Sequence, residues 1–378
     1  MRYYYRKRRY IILAYIIDCL GWVLSFLRMI PKRKYPENIK NILLVRLDHL
    51  GDVLYILPAL TALRHKYPNA QITLLAASWG YELVKDNRDI NEIIVYDAPW
   101  FQRGKKKGGI LGLMKLVWRL RKNKYELAID FKGYLWNILL IWLSGAKYKI
   151  SYNDVGGKYL LDKALLRRTD LHAVLQNLEM LKAIGITSDQ RPEISINIGN
   201  EEAAVIKLMD QFNLKGKKMI AIHCGAGRES KCWPIDKFNE LIDRIFVEYP
   251  GHEVVLVGGK DEAELVSRLS FKNKSPISLV GLTKLKELAA FLAKCELFIG
   301  NDSAPAHLAA IVRIPVIVFF SLEDDPVQWA PWGKKVIVLQ KTHHEFSPLA
   351  EEKIQESLAL ITTGDVLESI NKFVKRGR

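Results

Sequence analysis

The chain has 378 residues, of which 49% are hydrophobic, and its formal net charge is +16. This length exceeds what one hydrophobic core usually serves, so we expect two globular domains. The four cysteines show no Cys-x-x-Cys spacing, which argues against a disulfide framework and against a zinc site of that type.

Half of the net charge comes from residues 1–40, which contain ten basic and two acidic residues. Residues 11–30 are largely apolar and would measure about 30 Å as a helix, the thickness of a bilayer core. A thin polar stripe interrupts them at helical spacing, formed by Asp18, Gly21, Ser25 and Arg28. Because basic residues flank both ends, we expect residues 1–37 to form an amphipathic or hydrophobic helix on an anionic membrane surface, without crossing it. A membrane-spanning helix and a helix that packs on the soluble body are the alternatives.

Strands and helices alternate through the first half of the chain, which indicates a parallel sheet covered by helices. The predicted strands are residues 42–47, 72–76, 93–96, 127–130 and 148–151. A helical pattern follows the first strand from Val53 onwards, with Pro58 near its first turn. Asp52 stands between that strand and that helix, where the positive end of the helix dipole favours the ionised carboxylate.

The second half repeats the alternation, with predicted strands at residues 220–223, 254–258, 278–280, 297–300 and 316–319. The polar, glycine-containing stretch 197–216 marks the start of a second domain. The sequence therefore predicts an α/β protein of four parts: the N-terminal segment 1–37, two Rossmann-like domains at 38–196 and 197–350, and a C-terminal helical segment at 351–378.

One strand–turn–helix segment in the second half suits an anion. The strand at 297–299 ends in Gly-Asn-Asp-Ser, and Pro305 begins the next helix. The first N–H groups of that helix have no intrahelical partner, and they form a site for a phosphate together with the helix dipole. The side chains predicted to face this site are Asp302, Ser303 and His307.

A second loop with similar properties follows the strand that ends near His223. Its small residues, Gly225, Ala226 and Gly227, allow the backbone to approach a ligand closely. Lys231 supplies a cation, and Pro234 begins the next helix.

The segments around these positions resemble the lipopolysaccharide heptosyltransferases, glycosyltransferase family 9. The family patterns R/K-x-x-x-x-G-D-V, H-P-G-A-x…K-x-W-P, L-x-G-x-T-x-L-x-E-L-A and G-N-D-S-G-P-M-H-L-A-A occur in family order. The matching residues here are 46–53, 223–234, 279–289 and 300–310. The chain departs from these patterns at Cys224, Ala304 and Ala306, which replace Pro, Gly and a larger residue. Ala304 matters most, since a glycine beside phosphates can use backbone angles that alanine resists.

The resemblance implies a GT-B fold, with the two parallel sheets facing each other across a cleft and a terminal helix at 363–378 returning to the first domain. It implies inverting, metal-independent transfer from ADP-heptose, with no cofactor and with Asp52 as the catalytic base. Lys231 would hold phosphate and Asp302 the heptose hydroxyls. The other donor-binding roles fall on Ser303, Ala304 and His307 for the phosphates, Thr283 for the adenine and Glu262 for the ribose.

The resemblance also implies an acceptor, a lipid-linked and negatively charged glycan. A Gly-flanked basic run at residues 100–109 has the family position of a loop that faces this acceptor, although such runs are usually solvated loops. Its candidate residues are Arg103, Lys105, Lys106 and Lys107. With a cytoplasmic donor, the enzyme would lie on the inner face of the cytoplasmic membrane.

Three alternatives stay open at this point. The same fold and site would also serve a different nucleotide sugar or cell-surface glycan. A nucleotide-dependent dehydrogenase is disfavoured because residues 44–53 hold one glycine and no G-x-G-x-x-G pattern. A basic membrane- or nucleic-acid-binding module is disfavoured because the charge is concentrated in the N-terminus and one loop, and we expect no nucleic-acid partner.

Overall fold

The chain forms two compact units, Met1–Ile194 and Ser195–Arg378. The residues that the computed structural model describes are 8–26, 32–101, 109–187, 191–341 and 356–375. Each unit contains one six-stranded sheet in which every neighbouring pair of strands is parallel. The unit boundary lies next to the domain boundary predicted after residue 196.

The first sheet has the strand order β3-β2-β1-β4-β5-β6. Its strands are β1 (Asn41–Arg46), β2 (Gln71–Ala76), β3 (Glu92–Val95), β4 (Leu127–Asp130), β5 (Tyr148–Tyr152) and β6 (Lys163–Leu165). The central strands are apolar along most of their length because helices cover both faces of a parallel sheet. All five strands predicted in this half are confirmed. The sequence analysis missed β6, a three-residue edge strand too short to show a period.

Seven helices belong to the described part of the first unit. They are α1 (Arg8–Phe26), α2 (Leu50–Tyr55), α3 (Leu57–Lys66), α4 (Ser78–Val84), α5 (Ile110–Lys122), α6 (Leu135–Leu143) and α7 (Ala173–Lys182). The single helix predicted after Val53 is in fact two, α2 and α3. Pro58 explains the break, because it has no N–H for an intrahelical bond and instead occupies the first turn of α3.

The second sheet has the strand order β12-β11-β10-β7-β8-β9. Its strands are β7 (Lys218–His223), β8 (His252–Leu256), β9 (Ile277–Ser278), β10 (Leu297–Asn301), β11 (Val316–Phe319) and β12 (Val336–Leu339). The helices of this unit are α8 (Glu202–Gln211), α9 (Ile235–Glu248), α10 (Ala263–Ser267), α11 (Leu285–Leu292), α12 (Ala304–Ile311), α13 (Pro326–Trp329) and α14 (Thr363–Ile370). The five predicted strands are confirmed, and the edge strand β12 was not predicted.

The strand order reverses at one point in each sheet, between β1 and β4 and between β7 and β10. At such a point the connections leave the two neighbouring strands towards opposite faces of the sheet. A crevice therefore opens at the carboxyl ends of the strands, where α/β proteins bind their ligands. The residues that follow these four strands form the candidate sites described below.

The C-terminal helix α14 packs on α9 within the second unit. Val366, Leu367 and Ile370 are buried in the same hydrophobic cluster as Trp233. The Tyr249 hydroxyl hydrogen-bonds the Asn371 side chain at 2.7 Å. The expectation that this helix returns to the first domain is therefore wrong for the described residues, because its apolar side completes the core of the second unit.

Helix α1 packs on the 3-10 turn Lys158–Leu160 of the first unit. The Gly157 N–H donates a 2.7 Å hydrogen bond to Asp18 Oδ1. Ala14 lies against Gly156, and Gly21 lies against the Tyr159 ring. The polar and small residues of α1 thus face the protein, whereas its opposite side is apolar and exposed. Within the described residues, no helix combines the length and the apolar character that a membrane span requires.

Gly21 is required for this contact, because a Cβ there would lie 1.9 Å from Tyr159 Cδ1. We predict that Gly21→Val displaces α1 and lowers the free energy of unfolding by about 1–3 kcal/mol, the usual cost of overpacking. Hydrogen exchange over residues 8–26 should accelerate. Val23→Ala, on the exposed side of the same helix, is the control. Unchanged exchange in the Gly21 variant would contradict the observed packing of α1.

Candidate functional site

A buried cluster of four charged side chains lies at the carboxyl ends of β1 and β4. Arg46 ends β1, Asp48 and Asp52 follow it, and Lys132 follows β4. Arg46 Nη2 is 2.6 Å from Asp52 Oδ1, and Arg46 Nε is 2.8 Å from Asp48 Oδ1. Lys132 Nζ is 2.9 Å from Asp48 Oδ2 and 3.7 Å from Asp52 Oδ2. We call these four residues the first charge cluster.

The two carboxylates of this cluster differ in their electrostatics. Burial alone would raise the pKa of Asp52, but the Lys132 and Arg46 cations outweigh it and hold that pKa well below its usual range. Burial raises the pKa of Asp48, despite the same two cations. Asp52 is therefore the carboxylate that stays ionised, and it lies at the N-terminal turn of α2 as the sequence predicts.

A hydrogen-bond network around Asp130 fixes the loop that carries Lys132. The Asp130 carboxylate accepts bonds from the backbone N–H groups of Lys132 and Gly133, at 3.1 and 2.9 Å. It also accepts bonds from Asn137 Nδ2 at 3.0 Å and Ser151 Oγ at 2.8 Å. Lys132 is thus held by the ends of β4 and β5 and by α6, which explains how it reaches Asp48 and Asp52.

The second site lies at the carboxyl ends of β7 and β10, in the other unit. Gly300 pairs with His223 across these strands. A Cβ on Gly300 would lie only 2.7 Å from the His223 carbonyl oxygen, so glycine permits the close approach. The His223 ring lies between two side chains, with Nε2 2.9 Å from Glu262 Oε2 and Nδ1 3.0 Å from Ser303 Oγ. His223 thereby links the Ser303 loop to the Glu262 loop.

Glu262 occupies a pocket walled by glycines. A Cβ on Gly225 would lie 1.7 Å from Glu262 Oε1, and one on Gly258 would lie 2.4 Å from Glu262 Oε2. The Gly259 N–H donates a 2.7 Å hydrogen bond to Glu262 Oε2. Burial would raise the pKa of Glu262, but the hydrogen bond and charge of His223 and the hydrogen bond from the Gly259 N–H together outweigh it, so the pKa is lowered and the side chain is an anion.

Lys231 forms ion pairs with two carboxylates. Its Nζ is 2.8 Å from Asp302 Oδ2, and it also pairs with Asp324. Burial would lower the pKa of Lys231, but the two carboxylates outweigh it and raise that pKa. His307 Nε2 lies 3.7 Å from Asp302 Oδ1. The cation predicted to hold a phosphate is therefore paired with two anions.

The N-terminus of α12 follows the loop that pairs with this lysine. Ser303 is the N-cap residue, but its side chain makes no capping bond and instead reaches His223 Nδ1 and the Asn301 carbonyl. Pro305 has no N–H, and the N–H groups of Ala306 and His307 donate to the Ser303 carbonyl at 3.1 and 3.4 Å. The positive end of the dipole of this eight-residue helix favours an anion, and the phosphate site predicted for this segment stays a prediction.

Asn301 fixes the loop between His223 and Trp233, and the sequence analysis did not select it. Its Nδ2 donates to the carbonyls of Cys224 at 2.8 Å and Gly225 at 3.1 Å. Its Oδ1 accepts a 2.8 Å bond from the Trp233 N–H. This one side chain therefore holds the glycine-rich loop against β10. The signal in the sequence that could have identified Asn301 was its position inside the Gly-Asn-Asp-Ser segment.

The predicted donor-binding residues gather around the ends of β7, β8 and β10. Those in or beside the second site are Gly225, Ala226, Gly227, Lys231, Glu262, Asp302, Ser303, Ala304 and His307. Thr283 lies in the turn before α11, half-buried, and the same turn donates the Gly281 N–H to the Gly258 carbonyl at 3.0 Å. The predicted acceptor-binding residues Arg103, Lys105, Lys106 and Lys107 lie outside the described residues.

Asp324, Asp48 and Lys132 were also missed, and no local pattern marks them. In the part of the chain that the structure describes, no three His, Cys, Asp or Glu side chains come together as a metal site would need. The chemistry available is an ionised carboxylate in the first unit and a lysine with the N-terminus of α12 in the second. The latter arrangement suits a phosphate group.

Comparisons with known proteins agree with this chemistry. Residues 113–359 match the family model described as Glycosyltransferase family 9 (heptosyltransferase). The chain is 29% identical over 338 residues to lipopolysaccharide heptosyltransferase 3 of Escherichia coli K12, covering 86% of this chain and 95% of that protein. It resembles the crystal structure of the family 9 glycosyl transferase from Veillonella parvula, with TM-score 0.77 and 24% identity over 90% of this chain and 99% of that one.

A further solved structure with the same fold is the Escherichia coli heptosyltransferase WaaC with ADP-2-deoxy-2-fluoro heptose. Its TM-score is 0.66 at 19% identity, over 88% of this chain and all (100%) of that one. Both structural likenesses support the expected fold of two Rossmann-like units.

Asp324 provides a test of the second site that needs only ADP. We predict that Asp324→Asn tightens ADP binding about three- to tenfold, because one of the two anions that compete with phosphate for Lys231 is removed. Calorimetric titration measures this change. Asp210→Asn, an exposed ion-pair partner of Lys215, removes the same charge elsewhere and should have no effect. Weaker ADP binding in the Asp324 variant would mean that Asp324 holds Lys231 in its binding position.

Proposed function

Because the chain belongs to glycosyltransferase family 9, the heptosyltransferase family, we propose that it transfers a heptose from ADP-heptose to a lipid-linked acceptor of the lipopolysaccharide core type. Similarity to a lipopolysaccharide heptosyltransferase supports the acceptor, and a structural neighbour that holds an ADP-heptose analogue supports the donor. The proposed transfer inverts the anomeric configuration and uses no metal ion. The same site on a different nucleotide sugar or cell-surface glycan is the second candidate.

The observation that carries the donor assignment is the lysine beside the N-terminus of α12. Lys231 Nζ lies 2.8 Å from Asp302 Oδ2, and Asp302 stands two residues before the start of α12. In the proposed complex the diphosphate replaces Asp302 and Asp324 as the partner of Lys231. Ser303, Ala304 and His307 then complete the phosphate site.

This exchange of partners gives Asp302 its proposed role. Once Lys231 turns to the diphosphate, the Asp302 carboxylate becomes free to accept hydrogen bonds from the heptose hydroxyls. Glu262, which already accepts bonds from His223 and Gly259, offers the ribose an ionised carboxylate at the end of β8. The turn that holds Thr283 would face the adenine.

Asp52 is the proposed catalytic base. As the acceptor oxygen bonds to the anomeric carbon, its proton passes to Asp52, and the bond between that carbon and the diphosphate breaks with both electrons leaving on ADP. Attack from the face opposite the diphosphate inverts the anomeric centre. Arg46 and Lys132 keep Asp52 ionised in its buried position, so the carboxylate is present in the form that can accept the proton.

A leaving diphosphate needs positive charge, and Lys231 supplies it in this proposal. A fixed ammonium in a half-buried position stabilises the charge that develops on the leaving oxygen. The proposed enzyme therefore needs no divalent cation.

The proposed location is the cytoplasmic face of the inner membrane, with residues 1–37 docked on anionic lipid and not crossing it. Support comes from α1, whose exposed side carries Ile12, Ile16 and Val23 while its polar residues face the protein. In that position the enzyme reaches a cytoplasmic nucleotide sugar and a lipid-linked acceptor together. The basic run with Arg103, Lys105, Lys106 and Lys107 is the proposed acceptor contact.

We predict that Asp52→Asn lowers kcat about 10²–10⁴-fold while ADP still binds, because the carboxylate acts on the acceptor and not on the donor. Initial rates with ADP-heptose and a lipid-linked acceptor measure kcat, and calorimetry measures ADP binding. Asp210→Asn is again the matched control. A variant at position 52 that retains the normal kcat would show that Asp52 is structural.

The proposal that transfer needs no metal ion can be tested with EDTA. Addition of EDTA to the wild-type enzyme should leave the rate unchanged, and Lys231→Ala should weaken ADP binding and slow transfer together. Inactivation by EDTA that Mg²⁺ or Mn²⁺ reverses would refute this part of the proposal.

Rates with ADP-, GDP- and UDP-sugars distinguish the first candidate function from the second.

The electrostatics of Asp52 predict a specific pH profile. The lowered pKa of Asp52 keeps its carboxylate ionised down to acid pH. The fall of kcat/KM at low pH should therefore have its midpoint below about pH 4, the ordinary pKa of aspartate. Lys132→Met removes one of the cations that lower the pKa of Asp52, so this midpoint should move towards neutral pH. Lys147→Met, which breaks an exposed pair with Glu126, should not move it. If the midpoint of the fall of kcat/KM at low pH is the same in the Lys132 variant, Lys132 does not set the charge of Asp52.

A further inference from the structure

Helix α5 is apolar on two sides, and one of them faces outward. Leu116 and Leu120 are buried in the core of the first unit. Ile110, Leu111, Met114 and Trp118 are 79%, 75%, 61% and 69% exposed. Positions 110, 114 and 118 lie one above another on a helix, with position 111 beside them. These four side chains, here called the α5 stripe, form a continuous exposed apolar surface, which soluble proteins rarely leave without a partner.

The charges of α5 indicate what kind of partner this is. The helix carries four basic residues and no acidic one, namely Lys115, Arg119, Arg121 and Lys122. Lys122 Nζ lies 5.6 Å from the centre of the Trp118 ring, and Arg119 pairs with Glu92 at 2.6 Å. An apolar stripe edged by cations and containing a tryptophan matches the interface of an anionic bilayer, which offers hydrocarbon and negative charge together.

The α5 stripe belongs to the same side of the unit as α1. Helix α5 packs against α6, α6 packs against the turn Lys158–Leu160, and that turn carries α1. Leu116 of α5, Ile138 of α6 and Leu160 of the turn share one core cluster, so all three elements cover one face of the first sheet. Trp136 and Trp142 of α6, which packs against α5, are also exposed. Tryptophans of this kind are enriched where proteins contact membrane interfaces.

We propose that the α5 stripe and its cations insert into the headgroup region of an anionic bilayer, as a membrane contact separate from α1. This inference extends the membrane docking of the proposed function and rests on it only for the location of the enzyme. A second copy of the chain fits the stripe less well, because a two-fold interface would bring the cations of both α5 helices together. Two contacts on one face fix the orientation of the unit on the membrane as well as its attachment.

The test uses the full chain and vesicles of anionic phosphatidylglycerol mixed with phosphatidylethanolamine. The variant Ile110→Gln/Met114→Gln/Trp118→Gln removes the α5 stripe and keeps good helix-forming residues. We expect its affinity for the vesicles, measured by co-sedimentation, to fall at least about tenfold with an unchanged melting temperature. The matched control Ile206→Gln/Val247→Gln/Val327→Gln removes three exposed apolar side chains of the second unit and should bind normally.

A second variant keeps the apolar stripe and changes only the charge. Lys115→Glu/Lys122→Glu should weaken binding to anionic vesicles, and added salt should reduce the remaining binding less than it reduces that of the wild type, because fewer cations are left for salt to screen. This variant also tests the proposal if the triple variant fails to fold. Normal vesicle binding by both α5 variants would overturn the proposal.

Two further results separate this inference from neighbouring ones. If Ile12→Gln/Ile16→Gln/Val23→Gln abolishes vesicle binding and the α5 variants bind normally, docking by α1 stands and the α5 contact is refuted. If the α1 variant binds normally and the α5 variants do not, the α5 contact stands and the proposed role of α1 fails. If the α5 variants turn a dimer into a monomer in sedimentation velocity, with vesicle binding unchanged, the stripe is an interface between copies and the proposal is refuted.

Discussion

The reversal of strand order within each parallel sheet is the constraint on which both sites depend. Where β7 lies beside β10, the chain approaches so closely that only glycine fits at Gly300, opposite the His223 carbonyl. The loops that follow these two strands lead to opposite faces of the sheet, and the first residues of both loops lie next to each other at the strand ends. The same reversal between β1 and β4 brings Lys132 to Asp48 and Asp52, although more than 75 residues of chain separate them.

Each site pairs cations with carboxylates in the absence of a ligand. Lys231 has two anionic partners, and Arg46 likewise contacts two carboxylates. Because a half-buried lysine is costly without a partner, these two acids keep Lys231 charged and hold it in one position. In the proposed function, binding of a diphosphate would be an exchange of partners at Lys231. In the first unit the cations do the converse, since they keep Asp52 ionised in a buried position.

The helices of the first unit differ from ordinary surface helices in the side they present. In α1, Asp18 accepts the Gly157 N–H and Gly21 lies against the Tyr159 ring, whereas Ile12, Ile16 and Val23 are exposed. Helix α5 buries Leu116 and Leu120 and also exposes an apolar stripe. A periodic pattern indicates that a helix has two different sides. It does not indicate which side the rest of the protein covers, because that depends on the partner element.

The sequence by itself determined the α/β class, all ten strands that we predicted, and the loops that hold Asp52, Lys231 and Asp302, because these features come from periodicity and turn chemistry within short segments. Tertiary structure alone decided the edge strands β6 and β12, the packing of α14 on α9, and the partners Lys132 and Asp324. Edge strands are short and carry little pattern. An ion pair such as that of Lys132 depends on which distant loops the sheet brings together. The order of the strands decides this, and no short segment of the sequence predicts that order.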